Sequence, residues 1–325
     1  MRTITIEEHF LSPAFLAGPG KEMREQAKKS PENPLSRAFE QATDLGDQRI
    51  AAMDKAGIDV QVLSLTSPGV EQLEGPEAIA VARETNDFLF EAVKNHPDRF
   101  AGFATLPTSA PDKAADELER TIRHYGFKGA NINGHIRGRY LDDAFFWPIL
   151  ERAEALNVPI YIHPAKPPQP VIDASYTGFS PEVSNIFAGS GWGWHIETAV
   201  HIIRIILGGA FDRYPKLQIL IGHLGEVLPF MFQRFDRSLS IAKTKLERPV
   251  SAYLQENIHY SFSGFNFMPV FLNLLLQVGV NRIMFSADHP YGSMEEARGF
   301  LELLPVSDAD RERIAHGNAE RLLNL

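Results

Sequence analysis

Ile4-Thr5-Ile6-Glu7-Glu8-His9-Phe10 opens the chain with a β-type run that ends on a carboxylate and an imidazole two residues apart. In a strand, residues i and i+2 point to the same side, so Glu7 and His9 face one common point while Glu8 faces away. Oxygen and nitrogen donors aimed together make half of a divalent-metal site. The fold that carries this strand decides whether the rest of the chain brings the other half.

Beyond the first strand, the chain passes through a polar excursion over Leu11–Asp44 that is too long for a turn and reads as a loop with local helix. From there short apolar runs alternate with amphipathic ones. Asp47–Ala56 reads as a helix closed by Gly57, and Val60–Leu65 as a buried strand. Helical patterns over Pro76–Lys94, Ala110–His124 and Phe145–Leu156 are interleaved with strands over Phe100–Leu106, Lys128–Ile132 and Val158–His163. Strands over Leu217–His223, Ile258–Phe262 and Arg282–Phe285 complete eight. Eight strand–helix units without a composition break predict one (β/α)8 barrel over residues 1–325, with loop insertions after strands one and five. A doubly wound sheet is the alternative, yet no glycine-rich phosphate fingerprint follows the first strand.

Composition limits the partners. The 325 residues are 44% hydrophobic and 22% charged, an ordinary globular balance. A net charge of −9 and the absence of a Lys/Arg cluster argue against nucleic acid and anionic membranes, and favour a small-molecule partner. There is no cysteine, so a metal must be held by His and carboxylates, and a cytoplasmic location is expected. No basic-then-apolar leader opens the sequence, and no run of about 18 apolar residues follows, so neither export nor membrane insertion is expected.

Active sites of such barrels are built at the C-terminal ends of the strands. Glu7 and His9 end strand one, His163 ends strand five, His223 ends strand six, and Asp288 ends strand eight. Each has a plain structural reading: His163-Pro164 as a surface step, Asp288 as a turn or cap, and His223-Leu224-Gly225-Glu226 as a helix start with Glu226 in its first turn. Independent structural residues have no reason to share one rim, and that coincidence favours the ligand reading. His96, His124 and His316 fall in helices or at their ends, while His195, His201 and His259 stay unassigned. His289 points away from Asp288, and His135 and Asn133 lie at the fourth strand, where Asn133 reads either as a substrate contact or as a turn residue.

Glu7-x-His9, Tyr161-Ile162-His163-Pro164, Ile221-Gly222-His223-Leu224-Gly225-Glu226 and Phe285-Ser286-Ala287-Asp288 together resemble the amidohydrolase superfamily, in its amidohydrolase-2 branch of nonoxidative decarboxylases. That branch includes the γ-resorcylate, 2,3-dihydroxybenzoate and 5-carboxyvanillate decarboxylases and aminocarboxymuconate semialdehyde decarboxylase. The Glu-x-His form is more similar to the hydroxybenzoate enzymes than to the His-x-His form common elsewhere. The resemblance implies one divalent ion, Zn2+ or Mn2+, on Glu7, His9, His163 and Asp288. It makes His223 and Asp288 catalytic and places Asn133, Arg234 and Glu226 near the substrate. The run Asn131-Ile132-Asn133 holds no lysine that could bridge a second metal.

The activity expected from the resemblance is loss of carbon dioxide from an ortho-hydroxylated aromatic acid. The ring carbon bearing the carboxylate must be protonated, with Asp288 and His223 as the candidate donors and Glu226 holding His223. Arg234 reads equally as a charge partner for the substrate or as one half of a surface salt bridge. Lys166–Trp194 carries Tyr176, Phe179, Phe187, Trp192 and Trp194 on a Gly/Ser/Pro-rich backbone, which suits either a cover over an aromatic ligand or a contact in a homo-oligomer, dimer or tetramer. A metal-dependent hydrolase or hydratase and a ligand-binding barrel without activity are the alternative functions.

Overall fold

In the computed structural model, which describes residues 1–29 and 32–325, nine short parallel strands form the staves of a closed barrel. They are β1 (Ile4–Phe10), β2 (Val60–Leu65), β3 (Phe100–Gly102), β4 (Ala104–Thr105), β5 (Ala130–Asn133), β6 (Ile160–His163), β7 (Ile219–Ile221), β8 (Ile258–Ser261) and β9 (Ile283–Met284). β3 and β4 are one stave interrupted at Phe103, whose N–H bonds Leu63 O on one side while Ala104 N–H bonds Gly129 O on the other. The predicted strand Phe100–Leu106 is therefore broken where it hands its pairing from β2 to β5. The seam between the last and first staves is closed by Ile6 N–H to Phe285 O (3.3 Å), Asp288 N–H to Glu7 O (3.1 Å) and His9 N–H to His289 O (2.7 Å). Eight staves and their helices make the predicted (β/α)8 barrel.

The residues lining each stave alternate between two apolar layers. Ile4, Ile6, Val62, Phe103, Leu220 and Met284 fill the barrel floor, which Ala319 and Leu323 of the helix Asn318–Leu323 plug from below. Phe10, Leu63, Leu65, Ile132, Ile162 and Ile221 face outward against the helix ring. Each fully buried side chain of this size contributes roughly 1.5–3 kcal/mol. The alternation is broken once. Thr5 pairs with Gln61 but Glu8 pairs with Leu63, so β1 spends three residues where β2 spends two. This bulge reverses the parity of β1: below it Ile4 and Ile6 point inward, above it Glu7 and His9 do.

The excursion after β1 is more helical than its sequence indicates, with helices Pro13–Ala17, Lys21–Lys29 and Pro34–Thr43. Ser12 and Asn33 cap two of them through side-chain oxygens, each followed by proline at the first helical position, where its missing N–H is harmless. The insertion after β6 also folds into two helices, Gln169–Ser175 and Pro181–Ala188, before the long helix Gly193–Leu207. Among the described residues no helix is long and apolar enough to cross a membrane.

Candidate active site

At the C-terminal mouth of the barrel, Glu7, His9, His163 and Asp288 each offer one ligand atom, and these atoms lie within 4.8 Å of one another. β1 supplies the first two through its bulge, and His163 ends β6 in register with Asn133 of β5, so both side chains share the inner face. Asp288 follows β9 in a left-handed conformation (φ 61°), and its carbonyl accepts Gly292 N–H at 2.7 Å, which turns the chain back over the mouth.

The donors are prepared unequally. One oxygen of Glu7, Oε2, accepts hydrogen bonds from the hydroxyls of Tyr161, Ser263 and Ser261. The other, Oε1, is buried with no hydrogen-bond partner and lies 3.3 Å from His163 Nε2. Both nitrogens of His9 and Nδ1 of His163 are buried and unpartnered as well. His9 Nε2 approaches Asp288 Oδ1 to 3.1 Å, but without the direction of a hydrogen bond. Burial lowers the pKa of His9 and takes that of His163 down to about 4, so both rings keep a free lone pair. Burial likewise pushes Glu7 up to about 8, outweighing the opposing pull of His223, as expected of a carboxyl taken out of water.

Orphaned donors, neutral imidazoles and two carboxylates fit a divalent cation, which would satisfy all of them together. The nitrogen–oxygen set suits zinc or manganese. Asp288 is the only one of the four that is not fully buried, so a ligand entering the mouth meets it first.

Beside this group stands His223. Its Nδ1 is 2.7 Å from Glu226 Oε1, and Glu226 Oε2 is 2.6 Å from Nδ1 of His195. His195 Nε2 lies 3.1 Å from Ser190 O. One buried carboxylate thus holds two imidazoles. Among the described residues no protein group hydrogen-bonds His223 Nε2, which leaves that nitrogen for a ligand. Burial favours the neutral His223 ring, yet Glu226, Glu7 and Asp288 outweigh it and push the pKa up to about 10. A dication among the four donors would oppose this shift. Burial also resists ionisation of Glu226, and the flanking imidazoles overcome it to hold its pKa below the usual carboxylate value.

The backbone that aims His223 is not the helix start that its sequence suggests. His223, Leu224, Gly225, Glu226 and Val227 all have positive φ, between 51° and 98°. A left-handed run costs non-glycine residues roughly 1–2 kcal/mol each, so it persists only because its surroundings fix it. It brings the side chains of residues 223 and 226 onto one hydrogen bond. Just before it, Gly222 allows close approach: a Cβ there would stand 2.4 Å from Glu7 Oε2, 2.6 Å from Ser263 Oγ and 2.7 Å from Tyr161 OH.

Other residues named from sequence fall in different places. Asn133 lies beside His163 with its Oδ1 buried and unpartnered, and its backbone N–H donates to Glu71 at 2.9 Å. Glu226 has both oxygens engaged by imidazoles, and it holds His223. Arg234 is exposed on the helix Phe232–Ser238 and has no ion-pair partner among the described residues, so the surface salt bridge read from its sequence is not formed. His135 accepts Gly138 N–H and closes a turn.

Four contributors escaped the sequence reading. His195 carries no local motif; only its place in the first turn of the helix after the aromatic insertion points to it. Phe265 packs on His195 and His223, both at 5.1 Å between ring centroids, so the aromatic wall of the histidine pair comes from the loop after β8. In the insertion itself Tyr176 and Phe187 pack on each other. Tyr291 lies 5.5 Å from His9, ring to ring. Glu71, from the loop after β2, is fully buried with Oε2 unpartnered. Glu8 faces outward, as alternation predicts, and its carboxylate accepts Ala287 N–H (2.8 Å) and His289 N–H (2.9 Å) across the barrel seam.

Comparison with known proteins agrees with this architecture. The chain is 35% identical to a γ-resorcylate decarboxylase of Polaromonas sp. over 333 aligned positions, covering 99% of this chain and 98% of the relative. The crystal structure of a 5-carboxyvanillate decarboxylase from Novosphingobium aromaticivorans, complexed with manganese and 4-hydroxy-3-methoxy-5-nitrobenzoic acid, superposes with a TM-score of 0.91 at 32% identity, covering 100% and 96% of the two chains. That of a dihydroxybenzoic acid decarboxylase from Polaromonas sp., with bound manganese and the inhibitor 2-nitroresorcinol, gives 0.87 at 34% identity, covering 100% and 97%. The profile of the family described as Amidohydrolase matches residues 33–325, and the chain belongs to that family.

Proposed function

We propose that the chain is a metal-dependent nonoxidative decarboxylase, a carboxy-lyase acting on an aromatic acid with a hydroxyl ortho to its carboxylate, of the γ-resorcylate or 2,3-dihydroxybenzoate type. The observation that carries this reading is the juxtaposition, on one barrel rim, of four orphaned metal donors with an imidazole whose second nitrogen is free. A divalent ion on Glu7, His9, His163 and Asp288 supplies Lewis acidity and a template for the substrate oxygens. The same reading takes residues 1–325 as one domain, because the C-terminal helix plugs the floor that β1 begins.

The chain's own residues have three tasks. They orient the ring, exclude water and deliver one proton to the carbon that carries the carboxylate. As that C–H bond forms, the C–C bond breaks, carbon dioxide leaves, and the electron pair of the broken bond restores the aromatic ring. That Asp288 faces the opening and His223 presents Nε2, with Glu226 holding its ring, supports these two as the candidate donors. Asn133 Oδ1, buried beside His163 without a partner, is placed to accept from a substrate hydroxyl.

Incubating manganese- or zinc-loaded protein with a panel of hydroxybenzoates tests the proposal. Carbon dioxide and the matching phenol are expected from ortho-hydroxy acids and not from para-only isomers. Hydrolysis of a lactone or amide, with ortho-hydroxy acids untouched, would overturn it.

A further inference from the structure

A cavity of about 480 Å³ lies at the opposite end of the barrel from the metal donors, among residues that precede β6, β7 and β9. Lys216, Gln218, His259, Arg282 and Arg321 line it, and no carboxylate does. The Arg282 guanidinium is partly buried, and its Nη1 donates to Gln218 Oε1 at 2.7 Å and His259 Nε2 at 2.8 Å, both neutral acceptors. Arg321 Nη2 donates to Asn281 O and Asn318 Oδ1, each at 2.9 Å, again neutral. Lys216 Nζ has no partner among the described residues. The neighbouring acids are engaged elsewhere: Glu256 with Arg248, Glu320 with Arg2 and His316, and Glu154 with the backbone N–H of Lys216.

Three cations facing one cavity that no carboxylate of the described residues lines repel one another, and a partly desolvated guanidinium gains most from a charged acceptor. Burial, foremost, and the repulsion of Arg321 lower the pKa of Arg282, while Tyr260 and the Glu256 carboxylate oppose them. Burial and the same two arginines take His259 down to about 3, so its ring stays neutral. With Nε2 accepting from Arg282, its proton sits on Nδ1, which is buried without a partner. In a chain of net charge −9 this concentration of positive charge is local.

We infer that this cavity is a binding site for a phosphate-type oxyanion, free or as a monoester, held by Arg282 from inside and by Arg321 and Lys216 at the rim. Guanidinium forks match the paired oxygens of such an anion, and the exposed rim leaves room for an ester group.

Calorimetric titration of the metal-loaded protein with inorganic phosphate at low ionic strength tests the site. One saturable event is expected, weakened about tenfold or more in Arg282→Gln, the loss of one charge-assisted hydrogen bond. It should be abolished in the double variant Lys216→Glu/Arg321→Glu, whose substitutions lie on the exposed rim and whose folding is checked by its unfolding midpoint. Phosphate held at the metal donors would be unchanged by these substitutions, so the difference between variants reports this cavity alone. Glucose 6-phosphate binding more tightly than phosphate would identify the monoester as the preferred form, and equal affinity the free anion. No saturable heat up to roughly 10 mM phosphate, or equal binding in the double variant, would overturn the inference.

Discussion

Gly222→Ala isolates the crowding at the centre of the site. The backbone there is extended (φ −88°, ψ −164°), a conformation alanine adopts freely, so any effect comes from the added methyl group. That methyl would stand 2.4 Å from Glu7 Oε2, 2.6 Å from Ser263 Oγ and 2.7 Å from Tyr161 OH, where real Cβ contacts are essentially never found. Overpacking of a filled interior costs about 1–3 kcal/mol. Moving Glu7 away from one of its hydroxyl donors removes a hydrogen bond to a charged group, about 1.5–3 kcal/mol more. The sum, about 2.5–6 kcal/mol, corresponds to a fall of roughly 4–9 °C in the unfolding midpoint of a chain this long. Because Glu7 Oε1 moves with Oε2, manganese affinity should also fall, by roughly 10–100-fold, the usual effect of disturbing a group that orients a metal ligand. Thermal unfolding and competition with a chelator measure the two effects. A variant with wild-type midpoint and wild-type metal affinity would refute the argument that Oε2 is held by a full shell of hydroxyls.

Replacing His163 and Asp288 together by alanine should abolish stoichiometric metal, read by elemental analysis; retained metal would remove them from the site. His223→Asn should keep the metal and lower turnover by about 100-fold or more, as for loss of a positioned acid–base group; metal loss would make His223 a ligand instead. In Glu226→Gln the largest influence opposing burial at His223 is gone, so its imidazolium is less stable and its pKa falls. If protonated His223 serves turnover, the alkaline limb of the kcat/KM profile moves to lower pH; a limb that stays in place would assign it to another group. Glu8→Gln is nearly isosteric, yet it sets an NH2 group against one of two backbone N–H donors that now meet carboxylate oxygens, a cost of about 1–3 kcal/mol in stability; an unchanged unfolding midpoint would count against Glu8 closing the seam.

How far the site could be read in advance depended on whether its signals were periodic or long-range. The eight staves follow from short apolar runs and helix patterns, and the rim residues from their places at strand ends. Glu7 and His9 do share a face, as alternation requires. That this face is the inner one does not follow from alternation, because Ile4 and Ile6 would carry Glu8 inward with them; the bulge in β1 decides it. The left-handed turn over residues 223–227 was equally hidden, since only Gly225 in it signals positive φ. His195 and Glu71 act through partners 31 and 62 residues away, a separation at which no local pattern speaks.

The charges around the mouth explain why the metal donors stand where they do. Glu8 is answered by two backbone N–H groups and the nearby Arg49, and Glu226 by two imidazoles. Glu71 has the N–H of Asn133. Glu7 has three hydroxyls on one oxygen and nothing but the His163 ring near the other, and Asp288 faces a His9 ring whose pKa burial has lowered. Glu7 and Asp288 are therefore a pair of converging carboxylates that no lysine or arginine answers among the described residues, and that imidazoles alone offset. Lysine or arginine at this point would neutralise them and occupy the space a substrate needs. A dication neutralises them and keeps coordination positions for ligand oxygens. The two carboxylates thus converge beside a His223 whose Nε2 no protein group engages among the described residues, so on the proposed function a metal held there would set the bound acid beside a candidate proton donor.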